Sequence, residues 1–277
     1  MTGRAGPSAS RPDLKGISMN YPVYFVGAGP GDPELITVKG QRLLQEADRI
    51  VYAGSLVPEV LLEQRKTGCR VFNSAGLTLD ETHALLVEGY RGAEKVVRLH
   101  TGDPSLYGAI REQMELLDRD GIPCCVVPGV SAVFAAAAAL KQELTLPEVS
   151  QTLILTRLAG KTPVPEKENL RSLAAHQATL VIYLSVGQIE KVVSEVSSTY
   201  PSETPVVVAY RVGWPDELLI EGTLEDIASK VKAEDIRRQA IIMIGEVFAA
   251  HKGTPVRKSK LYDASFSHGF RKAKHNT

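Results

Sequence analysis

The residues whose type and spacing suit chemistry best lie in the stretch VVRLHTGDPSLYG, which runs from residue 96 to residue 108. Its apolar, β-branched start, Val96–Leu99, predicts a strand buried in a sheet. The TGDP sequence at 101–104 ends that strand, because proline cannot donate to a ladder and glycine permits a tight turn. An aspartate such as Asp103, placed after a buried strand and before a helix, lies where open α/β sheets bind ligands. An ordinary turn with a solvated carboxylate is the alternative, and this stretch alone leaves both open.

A second candidate is the glycine cluster GAGPGD at 27–32, which follows the first apolar run as a dinucleotide-binding fingerprint would. Asp32 stands where the third fingerprint glycine belongs, and its negative charge disfavours a bound anion. Pro30 also lacks the N–H that a phosphate cradle uses. The loop therefore predicts a tight turn, or close backbone approach to a positively charged ligand, rather than a phosphate site.

Both motifs follow apolar runs, and these runs predict the strands of a β-sheet that would position the motifs. Five strands are expected in the first half of the chain, at Val23–Val26, Arg49–Tyr52, Arg70–Phe72, Val96–Leu99 and Pro123–Val127. Helical patterns separate them, and one helix begins with a capping box formed by Thr78 and Glu81. This alternation predicts a mostly parallel sheet with helices on both faces.

The alanine-rich helix Ser131–Lys141 leads out of this first domain, and a second α/β unit follows. Its predicted strands are Thr152–Thr156, Thr179–Leu184, Val206–Tyr210, Leu218–Glu221 and Ala240–Ile244. Tight spacing around Trp214-Pro215 indicates a β-hairpin, so this sheet is expected to be mixed. The predicted organisation is a disordered leader (1–18), an N-terminal α/β domain (19–142), a linker (143–150), a C-terminal α/β domain (151–250) and a basic tail (251–277). We expect the tail to be solvated rather than to bind a partner.

The composition of the chain limits which classes of partner and which cysteine chemistry are expected. The chain has 277 residues, 44% of them hydrophobic and 23% charged, as an ordinary globular protein does. Its formal net charge of zero gives no reason to expect nucleic acid or a membrane surface. The longest apolar run, at 130–140, is far shorter than the ~20 residues that span a bilayer. Three cysteines without motif spacing favour a reducing cytoplasm and neither a structural disulfide nor a metal site.

Several segments together carry a resemblance: VGAGPGDPELITVKG, YAGSLV, HTGDPSLYGAI, VPGVSAVFAAAAAL, ILTRLAGKTPVPE and TPVVVAYRVGWPDE. From about Val23 to about Val247 the chain resembles the tetrapyrrole (corrin/porphyrin) methylase family. The glycine loop and the GDP…YG motif are shared across that superfamily. The alanine-rich helix, TPVPE at 162–166 and WPDE at 214–217 point to the branch that methylates carbon 11 of precorrin-4.

The resemblance implies two α/β domains with S-adenosylmethionine (SAM) in the cleft between them, a precorrin-type tetrapyrrole substrate and a homodimer. By position, it implies cofactor contacts at Pro30, Thr101, Gly102, Asp103, Leu106, Ser131, Ala132, Leu184, Val212 and Ala240. Asp103 would accept hydrogen bonds from the ammonium or a ribose hydroxyl of SAM. Leu106, Val212 and Ala240 would supply apolar walls for the adenine.

Methyl transfer from a sulfonium to a ring carbon is an in-line displacement that positioning alone can accelerate, so we expect no catalytic triad and no metal. His100 is a weak candidate for a general base, because histidine at a strand end is more often structural. The carboxylates of a precorrin require cations, for which the candidates are Arg157, Arg211, Lys161 and Arg111. Arg157 and Arg211 are favoured because each follows a predicted strand; a solvated surface charge is the alternative for all four.

Relatives that methylate uroporphyrinogen carry an Asp-Arg pair after the tyrosine of the second strand. Here Tyr52 is followed by Ala53 and Gly54, which favours a corrin-pathway step. The alternatives that stay open within the family are cobalt-precorrin-4, uroporphyrinogen III, a diphthamide precursor and ribosomal RNA. Outside it, the glycine loop alone suggests a nicotinamide-dependent oxidoreductase, and a non-catalytic tetrapyrrole-binding protein is a further possibility.

Overall fold

The computed structural model describes residues 21–54, 56–252 and 259–273. The predicted leader at 1–18 lies outside the described residues, and so does part of the predicted tail at 251–277. Two five-stranded sheets form the architecture. We call the first sheet with its four helices the first lobe, and the second sheet with its helices the second lobe.

The first sheet is parallel throughout, which confirms the prediction for this half of the chain. Its strands are β1 (Val23–Gly27), β2 (Arg49–Tyr52), β3 (Arg70–Asn73), β4 (Val96–His100) and β5 (Cys124–Val127). The order is β3-β2-β4-β1-β5, so β4 is the central strand, and every one of its residues is buried. Its carboxyl end therefore presents the TGDP turn at the middle of the sheet edge.

Helices cover both faces of this sheet, as predicted. The helices are α1 (Val38–Glu46), α2 (Glu59–Glu63), α3 (Leu79–Arg91) and α4 (Ile110–Arg119). Side chains of α1 and α2 share one apolar cluster with Ile50 and Val97, whereas α3 and α4 pack on the opposite face against Phe25. The capping box of Thr78 and Glu81 begins α3 and is confirmed.

The second sheet is mixed, again as predicted. It contains β6 (Leu153–Arg157), β7 (Thr179–Tyr183), β8 (Pro205–Tyr210), β9 (Leu218–Thr223) and β10 (Ala240–Ile244), in the order β6-β7-β10-β8-β9. Strands β6 and β7 pair in parallel, and the other pairs of this sheet are antiparallel. The predicted hairpin is the antiparallel pair of β8 and β9.

The alanine-rich helix is α5 (Ala132–Ala139), and its side chains pack on the second sheet. Val133 and Ala136 share a cluster with Val181 and Met243 of that sheet. The opposite face is covered by α6 (Leu170–Ala174), α7 (Ile189–Val196) and α8 (Ile227–Ala233). The helix therefore follows the first sheet in sequence, but its side chains pack in the core of the second lobe. The predicted domain boundary at residue 142 stays a prediction.

Across the described ranges, none of the helices combines the length and the apolar character that a transmembrane span requires.

Candidate functional site

The carboxyl ends of β1, β4 and β5 meet at one edge of the first sheet, where glycines let their backbones touch. A Cβ atom on Gly27 would lie 2.6 Å from the carbonyl oxygen of Gly102 and 2.7 Å from the Cα of Gly129. A Cβ atom on Gly129 would lie 2.2 Å from the same oxygen. Side chains are sterically excluded at these positions, so the three loops form one continuous backbone surface.

The glycine loop after β1 is hydrogen-bonded to the TGDP turn after β4. Gly102 N donates to Gly29 O at 2.7 Å, and Gly29 N donates back to Gly102 O at 3.3 Å. Both residues have positive φ, 79° for Gly29 and 59° for Gly102, a region that favours glycine. The glycine cluster thus packs closely on the neighbouring turn, and its predicted approach to a positively charged ligand stays a prediction.

Asp103 connects this turn to the third loop. Its Oδ2 accepts a hydrogen bond from Gly129 N at 2.9 Å, and its Oδ1 accepts one from Ser105 N at 2.8 Å. The half-buried carboxylate thus holds two backbone N–H groups, a role that the sequence did not reveal. A carboxylate offers about four acceptor positions, so a ligand contact stays compatible with both bonds.

His100 lies inside the first lobe. Its side chain is 3% exposed, and its ring stacks on Phe25 with 5.9 Å between the centroids. Burial, together with the charge of Arg98, lowers the pKa of His100 to about 3. Its Nε2 has no hydrogen-bond partner among the described residues. A catalytic role for His100 stays a prediction, and its burial and weak basicity argue against that role.

Tyr183, at the end of β7, binds the start of α5. Its hydroxyl accepts a hydrogen bond from Val133 N at 3.2 Å and lies 2.9 Å from Ser131 Oγ. The ring of Tyr107, from the loop after β4, lies 5.5 Å from the Tyr183 ring. This residue of the second lobe therefore contacts two segments in which cofactor contacts are predicted, at Leu106 and at Ser131.

The predicted cofactor contacts of the second lobe, Leu184, Val212 and Ala240, lie at one edge of the second sheet. Ala240 pairs with Tyr210, and the register of β10 with β7 places Leu184 at the same end. Leu184 is 72% exposed and has a φ of 56°, a strained conformation for a leucine. Such exposed, strained residues concentrate at binding sites.

The side chains of Val212 and Ala240 are buried, at 5% and 8% exposure. They lie in the cores on opposite faces of the second sheet. Little of either residue is exposed, and the expectation that both supply apolar walls for the adenine stays a prediction. Leu106 is half-buried, and Leu184 is the exposed apolar side chain of the set.

The two edges meet at a second point, where Trp214 Nε1 donates to Pro30 O at 3.0 Å. A cavity of about 860 Å³ lies beside this contact. Its lining includes Gly31, Glu59, Arg211, Trp214 and Asp216, so it takes residues from both lobes. Two carboxylates and one guanidinium line it, and Asp216 already pairs with Arg211, which suits a polyanionic ligand poorly.

The four predicted substrate cations are placed differently. Arg157 donates to the carbonyl oxygens of Thr162 at 3.1 Å and Pro163 at 2.6 Å, so it holds its own loop. Arg211 pairs with Asp216 at 2.7 Å. Lys161 and Arg111 are exposed. Their substrate roles stay predictions.

His, Cys, Asp and Glu are the side chains that most often bind metal ions in proteins. Residues 21–54, 56–252 and 259–273 contain no group of three or more that could hold a metal ion.

The chain was then compared with known proteins. The sequence model for tetrapyrrole (corrin/porphyrin) methylases matches residues 22–228. A cobalt-precorrin-4 C(11)-methyltransferase of Methanocaldococcus jannaschii is 54% identical over 255 residues, covering 92% of this chain and 97% of the relative. A precorrin-4 C(11)-methyltransferase of Pseudomonas aeruginosa is 52% identical over 249 residues, covering 90% and 98% of the two chains.

Solved structures give the same result. A cobalamin biosynthetic enzyme, cobalt precorrin-4 methyltransferase, superposes with a TM-score of 0.82 at 46% identity and covers 85% of this chain and 99% of its own. A uroporphyrin-III C-methyltransferase from Thermus thermophilus, complexed with S-adenosylhomocysteine, has a TM-score of 0.70 at 32% identity and covers 83% and 94%. This chain belongs to the tetrapyrrole (corrin/porphyrin) methylase family.

Proposed function

We propose that the protein is a SAM-dependent methyltransferase that transfers a methyl group to carbon 11 of precorrin-4, giving precorrin-5, in cobalamin biosynthesis. The observation that carries the proposal is that the edge of the first sheet meets the edge of the second, through the hydrogen bond of Trp214 to Pro30 and the contact between the Tyr107 and Tyr183 rings. The chain is 54% identical to a cobalt-precorrin-4 C(11)-methyltransferase and 52% identical to a precorrin-4 C(11)-methyltransferase. The predicted cofactor contacts lie along these two edges.

The residues present fit a cationic methyl donor. Gly27 and Gly129 have no room for side chains, and Gly102 has a φ of 59° that favours glycine, so this edge of the first sheet offers a ligand main-chain groups. Asp103 has spare acceptor positions for an ammonium or a hydroxyl group. Leu184 presents an exposed apolar surface from the opposite edge. SAM, when bound, supplies an electrophilic methyl group on its sulfonium.

The contribution of the chain to the reaction is positioning. Asp103, the Gly102 backbone and the start of α5 would hold one side of the donor, and Leu184, Val212 and Ala240 the other. Fixing donor and acceptor in line can supply ~7–11 kcal/mol of the barrier, because the loss of translational and rotational freedom precedes the reaction. Two lobes that enclose the reacting atoms also exclude water.

Proton transfer is not assigned to His100. A histidine whose pKa is about 3 is a poor base near neutral pH, and its ring lies within the first lobe. We therefore propose that the side chain acts in the packing of β4, beneath the TGDP turn.

The substrate assignment rests on the relatives and on one departure from them. Ala53 follows Tyr52, where relatives that methylate uroporphyrinogen carry a carboxylate, which favours the corrin-pathway substrate. Relatives at 54% and 52% identity are named for the cobalt-loaded and the metal-free substrate respectively, so both forms are candidates. Arg211, Lys161 and Arg111 remain the proposed cations for its carboxylates, whereas Arg157, which binds carbonyl groups of its own loop, is proposed to act by holding that loop.

We also propose a homodimer in the cytoplasm. The resemblance to the family supports the dimer. The thiols of Cys69, Cys124 and Cys125 are free, which suits a reducing compartment.

The proposal is tested with purified protein, SAM and either precorrin-4 or its cobalt complex, followed by mass spectrometry of the macrocycle. Addition of one methyl group with formation of S-adenosylhomocysteine is expected, with the methyl located at carbon 11 by NMR. Uroporphyrinogen III is the control substrate. Preferential methylation of uroporphyrinogen III would overturn the substrate assignment. Binding of NADH without binding of S-adenosylhomocysteine in calorimetry would overturn the enzyme class.

A further inference from the structure

The β8–β9 connection packs tightly on the glycine loop of the first lobe. Trp214 Nε1 donates to Pro30 O at 3.0 Å, across the junction between the lobes. A Cβ atom on Gly31 would lie 2.3 Å from Trp214 Cδ1 and 2.6 Å from Val212 O. The two loops fit against each other only because residue 31 has no side chain.

The indole is held in place from its own lobe as well. The guanidinium carbon of Arg211 lies 4.2 Å from the centre of the Trp214 ring. That guanidinium is itself fixed by Asp216, at 2.7 Å from Nε, and by Gln239, at 3.1 Å from one terminal nitrogen. Trp214 N also donates to Arg211 O at 3.0 Å. The ring is therefore oriented by its own loop and does not depend on Pro30 for its position.

Hydrogen bonds between residues that are neighbours along the chain lead from this indole into the predicted cofactor site. Trp214 binds Pro30, the adjacent Gly29 is paired with Gly102, and Asp103 binds Gly129. On the side of the second lobe, Val212 lies two residues before Trp214. A shift of the indole would therefore displace predicted contact residues on both edges.

We infer that Trp214 is a positioning residue, which fixes the glycine loop of the first lobe to the β8–β9 connection and thereby sets the distance between the two sides of the methyl-donor site. The inference rests on the proposed function, because that function supplies the donor. WPDE at 214–217 is also one of the stretches that distinguish the chain within its family resemblance.

Trp214→Phe tests the inference, because phenylalanine keeps an aromatic ring beside Arg211 and removes the N–H that binds Pro30. We expect S-adenosylhomocysteine to bind about tenfold more weakly, as loss of one hydrogen bond to a shielded carbonyl predicts. We expect kcat at saturating SAM to stay within about twofold, so that the change appears in KM.

Tyr200→Phe is the matched control. The Tyr200 hydroxyl donates to Ala178 O at 2.6 Å within the second lobe, so its removal also deletes one side-chain bond to a carbonyl. Thermal unfolding of both variants should show comparable small losses of stability, whereas the affinity for S-adenosylhomocysteine should fall in Trp214→Phe alone. Equal affinity in the two variants would overturn the inference.

Gly31→Ala provides a second variant, because its methyl group would push the indole away from the loop. Its affinity should fall, and the double variant with Trp214→Phe should lose less than the sum of the single losses. Additive losses, or an unchanged affinity in Gly31→Ala, would contradict the inference.

Fluorescence gives a readout that a purely structural role would not change. Trp214 is the single tryptophan of the chain, so the emission of the wild-type protein reports on this contact alone. S-adenosylhomocysteine should alter the emission and reduce quenching by acrylamide. An unaltered emission while calorimetry records binding would overturn the role of Trp214 and leave the proposed function intact. Absence of calorimetric binding to wild type would overturn both.

Discussion

The side chain of Asp103 accepts a hydrogen bond from the backbone N–H of Gly129, with 2.9 Å between Oδ2 and the nitrogen. This contact joins the turn after β4 to the connection between β5 and α5. It orients the start of α5, where Ser131 and Ala132 are predicted to contact the cofactor. The carboxylate therefore acts on the site through the backbone, in addition to any bond that it makes to a ligand.

Asp103→Ala should weaken binding of S-adenosylhomocysteine without unfolding the protein. Two backbone N–H groups lose their acceptor, and we expect about 1–3 kcal/mol of stability to be lost with them. Calorimetric titration and urea denaturation measure the two effects. Asp226→Ala is the control, because Asp226 also accepts a backbone N–H, from Thr223 at 2.8 Å in the second lobe. An affinity loss no larger than that of Asp226→Ala would contradict the role assigned to Asp103 in cofactor binding.

Tyr183→Phe should also weaken cofactor binding, because the hydroxyl that accepts the Val133 N–H is removed from the start of α5. We expect a loss of about 1–3 kcal/mol in the free energy of unfolding. Tyr107→Phe is the matched control, since it keeps the contact between the two rings and none of the hydrogen bonds of Tyr183 depends on it. Denaturation of both variants, with parallel titrations, makes the comparison. Equal stability of the two variants would contradict the role assigned to the Tyr183 hydroxyl.

The sheets could be predicted from sequence because most strands are short apolar runs, several of them closed by glycine or proline as at Gly27, Pro128 and Gly245, and this signal is local. Two helices, α2 and α6, were not predicted. Each has five residues, too few to display a helical period. Helix α5 was predicted, but its residues are apolar on every side, so the sequence had no means of showing which sheet it covers.

The candidate site was predictable in its motifs but not in its contacts. Asp103 was identified from its place at a strand end, yet its partner Gly129 lies 26 residues away, beyond any local pattern. Trp214 and Pro30 are 184 residues apart. His100 is buried because β4 is the central strand of the first sheet. The order of the strands in the sheet cannot be read from the sequence, so this burial could not be predicted.

His100 should make the protein less stable as the pH falls. Its pKa is about 3 in the folded protein and 6.5 ordinarily, so below pH 6.5 the unfolded chain binds a proton that the folded chain does not. Stability is therefore lost progressively from pH 6.5 towards pH 3, by about 2 kcal/mol between pH 7 and pH 5.

Urea denaturation at both pH values should show this loss in wild type and a smaller one in His100→Asn. The exposed His176 supplies the control, and His176→Asn should keep the wild-type dependence. A dependence in His100→Asn as steep as that of wild type would show that other groups cause the effect.

Arg157 should act on the substrate by holding the loop at 158–163, whose carbonyl groups it binds. Arg157→Met should raise KM for the macrocycle about fivefold, because the hydrogen bonds that order the loop are lost, at a cost of roughly 1 kcal/mol in substrate binding. The affinity for S-adenosylhomocysteine should not change. Limited proteolysis with elastase, which cleaves after small residues such as Ala159 and not after lysine or arginine, should cut this loop faster in the variant. Lys161→Met removes an exposed cation from the same loop and should leave proteolysis unchanged. If Arg157→Met raised KM while its loop resisted the protease as in wild type, the guanidinium would instead contact the substrate directly.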